Sequence, residues 1–337
     1  MGTPPRIDVH AHLAGVGTGR SGCWVSTRFR WRYTFVCMRV AHGITPRQMH
    51  TSVDQDWAAL LAGRVADSEL DYAVALGFDG VYHPDGTLDR GRSQMIVPPE
   101  WVFTVCERYP QLLPGPSINP HRRDAMERLE ECIERGATLI KWLPIVQAID
   151  TSSPALRPFY RRVADAGIPL LIHAGTGEQT FRVVAPQYMS VDILIPPLDA
   201  GVKVICAHAA ARIHFSREPN SLGRLREMLR RYPDLWVDNS GIANPARFRH
   251  LPRLADDPEI AERTLYGSDF PVPANAVYYP RRLGLRTVWK LEREQNKLQR
   301  DLALKRALGF PEASLTRATG VLAHLDRWAA DARSRSL

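Results

Sequence analysis

Polar residues alternate with apolar ones in Arg6-Ile7-Asp8-Val9-His10-Ala11-His12, near the start of the chain. On a strand, side chains alternate between faces, so His10 and His12 point the same way with Asp8 behind them. Two neutral imidazoles on one face of a rigid element make half of a zinc-type coordination sphere. Other groups with ligand or proton-transfer chemistry end later apolar runs. Lys141 lies in Ala137–Leu143, His173 follows Pro169-Leu-Leu-Ile172, His208 closes 202–208 and Asp269 closes 264–269. A lone strand-terminal histidine is more often a buried structural residue. Four imidazoles, a carboxylate and an amine on one rim point instead to a catalytic metal centre. A bound ion with an open position lowers the pKa of a water to about 7 and polarises a carbonyl, and a nearby carboxylate takes the proton.

The elements that must deliver these groups follow from residue 70 onward, where apolar runs alternate with amphipathic ones. Strands are expected at 72–78, 112–118, 137–143, 169–173, 202–208, 235–238 and 264–269, which with the opening strand makes eight. Between them Met126, Leu129, Cys132 and Ile133, and later Leu222, Leu225 and Leu229, recur at helical spacing. Gly136, Gly167 and Gly201 are placed to close helices in the left-handed conformation just before a strand. Eight strand–helix units close most economically into an α/β (β/α)8 TIM barrel, whose chemistry sits at the C-terminal strand ends. An open doubly wound sheet is disfavoured, because no Gly-x-Gly-x-x-Gly turn follows a strand. Two stretches break the rhythm. Residues 14–52, rich in Gly, aromatics and Arg, form a long insertion expected to cover the active site. Residues 271–308 and a last helix near 312–325 supply extra C-terminal helices. The whole of 1–337 reads as one domain.

At 337 residues and 45% hydrophobic, the chain has ample length for a large core. No apolar run approaches the roughly 20 residues of a membrane span, and the first strand begins too early for a secretory leader. Five cysteines without paired spacing suit reduced thiols in a cytoplasmic protein. The formal charge is +8, but the arginines, read as lying without aromatic interleaving or a long basic tract, suit solvated helix faces better than nucleic-acid binding. A cluster of them at the active-site mouth would favour an anionic substrate.

The motifs Asp8-Val-His-Ala-His12, Leu171-Ile-His173, Cys206-Ala-His208 and Tyr266-Gly-Ser-Asp-Phe-Pro271 together resemble the amidohydrolase superfamily of metal-dependent barrel enzymes. They are most similar to the branch that includes aminocarboxymuconate-semialdehyde decarboxylase and resorcylate decarboxylases. The resemblance implies that His10, His12, His173 and Asp269 bind the metal, that Asp269 also accepts a proton from the attacking water, and that His208 polarises substrate or carries a proton. Asp8 is then a group that orients a histidine ring from beneath, or a cap on the barrel floor. A second arrangement is open. In two-metal members a strand-4 lysine is carboxylated and bridges the ions; Lys141 would do so here, with His173 and His208 on the second ion. One ion is favoured, zinc ahead of manganese or another divalent metal.

His42, His83 and His121 are weaker candidates, expected to face solvent. Asp238-Asn239-Ser240 ends strand 7, where turn chemistry explains it as well as pocket lining does. Trp24, Trp31 and Tyr33 suit a pocket wall or packing. The expected protein is a metal-dependent hydrolase of an amide, ester or lactone in a small organic substrate. The alternative is a nonoxidative decarboxylase of a small carboxylic acid, aromatic acids included, for which an arginine placed to grip a carboxylate would be the mark. Neither a nucleic acid nor a membrane is expected as partner; a homodimer through the helical shell is open.

Overall fold

The computed structural model describes residues 3–214 and 220–334. Its barrel strands are β1 (Ile7–His12), β2 (Tyr72–Leu76), β3 (Leu112–Gly115), β4 (Ile140–Trp142), β5 (Leu170–Ile172), β6 (Val204–Cys206), β7 (Leu235–Asp238) and β8 (Thr264–Leu265). They form two parallel ladders, β1–β2–β3 and β4 through β8. Backbone hydrogen bonds close both seams between the ladders. Between β3 and β4, Thr138 N–H donates to Pro114 O at 2.8 Å and Lys141 N–H to Pro116 O at 2.9 Å. Between β8 and β1, Val9 N–H donates to Tyr266 O (2.9 Å), Asp269 N–H to His10 O (2.7 Å) and His12 N–H to Phe270 O (2.8 Å). The sheet therefore returns on itself as a (β/α)8 barrel.

Strand sequences such as Leu170-Leu171-Ile172 are apolar at successive positions because one face fills the barrel and the other meets the helical shell. Gly136, Gly167 and Gly201 all carry positive φ at the helix ends where the sequence places them. The strands are shorter than the apolar runs that encode them. At β8 the ladder stops at Leu265, and Tyr266 to Asp269 bond across the seam to β1 instead. On β1, Asp8 pairs with Ala73 and Ala11 with Ala75, so three steps on β1 face two on β2. That bulge lies directly at His10, where such irregularities commonly re-aim a side chain.

The insertion is an ordered roof of three short helices, Thr27–Arg30, Tyr33–Ala41 and Gln48–Thr51. Its first loop is gathered by the buried Asp54, which accepts from Val16 N–H (2.9 Å), Gly17 N–H (3.1 Å), Thr18 Oγ1 (2.8 Å) and Ser21 Oγ. A two-residue ribbon pairs Trp24–Val25 with Met95–Ile96, and Phe29 stacks on Phe181 with centroids 4.7 Å apart.

Past β8, helices Leu285–Glu292 and Lys297–Ala307 replace the single run, and the Asn296 side chain caps the second by accepting Leu298 N–H. Lys305 of that helix is buried, with Nζ 2.6 Å from Asp301 Oδ2 and 2.6 Å from Gly267 O. The last helix is Leu325–Ser334, later than expected, because residues 313–320 turn only in short pieces. Trp328 Nε1 donates to Gly136 O at 2.8 Å and seats it under β4.

Candidate metal centre

Three donor atoms meet where β1 and β8 end. His10 Nε2 and His12 Nε2 are 3.2 Å apart, and Asp269 Oδ1 lies 3.4 Å from the first and 3.2 Å from the second. Ligands held about 2.0–2.1 Å from a tetrahedral ion stand about 3.3 Å from one another, so this triangle has the edge length of a zinc coordination polyhedron. The residues fit such an ion. Gly241, at φ +59°, leaves room for the Asp269 carboxylate, because a Cβ there would fall 2.2 Å from Oδ2. Asp269 and His208 both adopt positive φ, a strain that non-glycine residues carry mostly at functional sites.

The orientation of His10 is set behind it. Its Nδ1 lies 2.8 Å from Asp238 Oδ2 and 3.0 Å from Ser240 Oγ, which gives Nδ1 the proton and turns the Nε2 lone pair toward the site. Asp238 Oδ1 accepts His208 N–H at 2.8 Å, and Ser240 Oγ lies 2.9 Å from His208 Nδ1. One carboxylate and one hydroxyl therefore place both imidazoles, which stack with centroids 5.1 Å apart.

For Asp8 either that role or a cap on the barrel floor was expected. At the β1 bulge the Asp8 carboxylate instead accepts His10 N–H (2.9 Å) and Ser268 N–H (3.0 Å), tying the backbones of β1 and β8 together beneath the ligands. Its other oxygen is buried without a hydrogen-bond partner, and burial pushes its pKa up to about 7. Sequence reasoning weighed Asp238–Ser240 only as turn or lining. The available sign was that Asp238 ends its strand as His173 and Asp269 end theirs.

Burial keeps the imidazoles neutral, lowering His10 to about 4 and His208 to about 3. Burial opposes ionisation of Asp238 and Asp269, but contact with His10 for the first and His208 for the second holds both below the usual carboxylate range. Lys141 is buried with Nζ 3.3 Å from His10 Nε2, and desolvation lowers it to about 8 against the pull of Asp238 and Asp269.

His173 lines the same cavity, its ring centroid 5.1 Å from that of His208, but it stands outside the donor triangle. Its Nε2 meets Thr176 O (3.3 Å) and Gly177 O (3.1 Å) of its own loop. Of the weaker candidates, His83 is exposed. His121 Nε2 accepts Asp150 N–H, and His42 packs on Phe270 with centroids 4.8 Å apart. The cavity above the triangle holds about 470 Å³ and is roofed by the insertion through Phe35, Met38 and Arg39. Arg247 enters it from the loop after β7, buried, donating to Gly177 O at 2.9 Å and Thr176 Oγ1 at 3.3 Å. Nothing in the sequence distinguishes it among the chain's 44 basic residues.

The family model described as amidohydrolase matches residues 7–303. The chain belongs to the amidohydrolase family. No curated protein matches it. Among solved structures, this amidohydrolase is similar to an uncharacterised TIM-barrel protein from Bordetella bronchiseptica, at 16% identity and TM-score 0.57, covering 97% of this chain and 99% of that one. A putative 2-pyrone-4,6-dicarboxylic acid hydrolase from Pseudomonas putida follows at 15% and 0.53, with 98% of each chain covered. An amidohydrolase from Burkholderia multivorans stands at 14% and 0.50, covering 94% and 99%. At these identities the likeness establishes the shared barrel fold, and the amidohydrolase's chemistry is argued from its own residues.

Proposed function

We propose that this amidohydrolase is a metal-dependent hydrolase of an amide, ester or lactone in a small organic substrate. The observation that carries the reading is the triangle of His10 Nε2, His12 Nε2 and Asp269 Oδ1 at 3.2–3.4 Å, at the foot of an apolar-walled cavity. His10, His12 and Asp269 would hold a divalent ion, with His173 the candidate fourth ligand. A divalent ion bound there supplies Lewis acidity, which activates a water near neutral pH and polarises a carbonyl. Asp269, ionised and at the same point, would accept a proton from the attacking water. His208, neutral at physiological pH and fixed at Nδ1 by Ser240, offers Nε2 as a hydrogen-bond acceptor for substrate or water, and the proton that Asp269 accepts is the one passed to the leaving group. Lys141 is the clamp of the one-ion reading. In the two-ion reading its partly neutral amine, carboxylated, would help to hold a second ion together with His173 and His208.

Arg247 favours a second reading on the same centre, a decarboxylase that grips a substrate carboxylate. Protein stripped of metal and reloaded with zinc or manganese, then assayed on lactones, amides and aromatic carboxylates, decides between them. Metal-dependent hydrolysis is expected. CO₂ release without hydrolysis would transfer the assignment to the lyase. Failure to retain stoichiometric metal would remove both.

A further inference from the structure

Between Asp8 and Asp54 the chain has no acidic residue, yet it carries Arg20, Arg28, Arg30, Arg32, Arg39 and Arg47. This is the insertion that roofs the cavity, and within it Arg28-Phe-Arg-Trp-Arg-Tyr33 alternates guanidinium and aromatic groups, an interleaving that the expectation of plain solvated arginines overlooked. Some arginines elsewhere pair with carboxylates, as Arg162 does with Glu130 and Arg282 with Asp256. Among the described residues none of the six insertion arginines has a carboxylate within ion-pair distance.

The same segment exposes apolar surface in an ordered pattern. On the helix Tyr33–Ala41, positions 33, 36, 37, 40 and 41 are Tyr, Val, Cys, Val and Ala, which is the i, i+3, i+4, i+7, i+8 spacing of one helix face. That face looks outward. Tyr33 is 73% exposed, Val40 63% and the adjoining Trp31 80%, and no residue of the helix is buried. Tyr33, Cys37 and Ala41 of this stripe border the open cavity, as do Phe35 and Met38 of the other side. A helix that borders the cavity and still leaves Tyr33 and Val40, beside Trp31, exposed to solvent is placed to meet a second apolar phase.

We propose that this outer face binds an anionic lipid surface, which sets the roof of the active-site cavity against the membrane. Both parts of the face find a partner there: an apolar stripe with flanking Trp and Tyr enters the headgroup boundary, while arginines without carboxylates meet lipid phosphates. A symmetric pairing with a second copy would bring two acid-free, arginine-rich faces together, and like charges oppose it. A nucleic acid would use the guanidiniums and Trp31 but leave Val36, Cys37 and Val40 uncovered. The attachment is peripheral, since no helix among the described residues is long and apolar enough to cross a membrane. It holds whichever reaction the metal centre performs.

The test is flotation of the full chain with vesicles of phosphatidylcholine alone and of phosphatidylcholine carrying about one-third phosphatidylglycerol. Partitioning at least tenfold stronger on the anionic vesicles is expected. It should be lost at about 1 M salt, where the Debye length has shrunk to roughly 3 Å. An arginine near an anionic leaflet contributes about fivefold in partitioning. The pair R28E/R32E and the pair W31S/V40S should therefore each lose tenfold or more, while thermal midpoint and bound zinc stay at wild-type values. Equal partitioning on both vesicles, or wild-type binding by both double variants, would overturn the proposal. So would a lipid-free dimer dissociated by W31S/V40S, or tighter binding to a short DNA duplex than to the anionic vesicles.

Discussion

His10 shows how much of the centre depends on which atom of a side chain faces which way. Its Nε2 serves the triangle only because Asp238 and Ser240 take the proton on Nδ1. An Asp238→Asn variant keeps the shape but replaces a carboxylate with an amide that offers at most a neutral acceptor. Loss of such an orienting partner typically costs 10–100-fold in metal affinity. That drop, read by chelator competition with the thermal midpoint of the zinc-loaded protein as control, is the expected result; unchanged affinity would assign the orientation to Ser240 alone. At this scale the sequence was readable where a residue's place on its strand determines its direction. His10 and His12, both on β1, are such residues. It was unreadable where direction depends on a ring rotation or an irregular loop. His173 follows its strand as expected, yet its nitrogen is engaged by carbonyls of residues 176 and 177, and Arg247 arrives from a loop with no period to announce it.

At the scale of elements, the strand order was legible because apolar runs and helix-closing glycines punctuate the chain. The strand ends were not, because backbone bonds across the seams compete with the ladders. The β8–β1 seam carries the ligands and is braced twice from below. Asp8 accepts the N–H groups of His10 and Ser268, and Lys305 reaches from the helix Lys297–Ala307 to Gly267 O. Lys305 and Asp301 are both nearly inaccessible to solvent, so removing one partner strands the other's charge. Lys305→Met is expected to cost about 3–5 kcal/mol in denaturant unfolding, and adding Asp301→Leu should recover much of it. A double variant no more stable than the single one would mean that the pair is not the main stabilising contact there. The insertion was recognisable as a cover from its length and place. Its outward stripe shows only once the helix bounds at Tyr33–Ala41 are known.

For the molecule as a whole, the buried titrating groups set how the metal-free protein meets acid. His10, His42 and His250 at about 4 and His208 at about 3 lie below the ordinary 6.5 because burial disfavours the charged ring. Between about pH 6.5 and 4 the unfolded chain takes up protons at these rings that the folded one refuses, so falling pH favours unfolding. Asp8, raised to about 7 by burial, acts in the opposite sense, as do Asp79 and Asp301, which burial also raises. The imidazoles, with His173 among them, outnumber these carboxyls. The thermal midpoint of metal-free protein should therefore fall from pH 7 toward pH 5; a midpoint that rose would place control with the carboxyls. The seam has a further consequence, for the order of events during synthesis. His10 and His12 are made before seven of the eight strands, but Asp269 follows all eight. A growing chain can offer two donors for most of its synthesis and the third only once β8 has docked on β1. An ion held by all three would thus mark a chain in which the end of β8 has docked on β1, a state that a product truncated before Asp269 cannot reach.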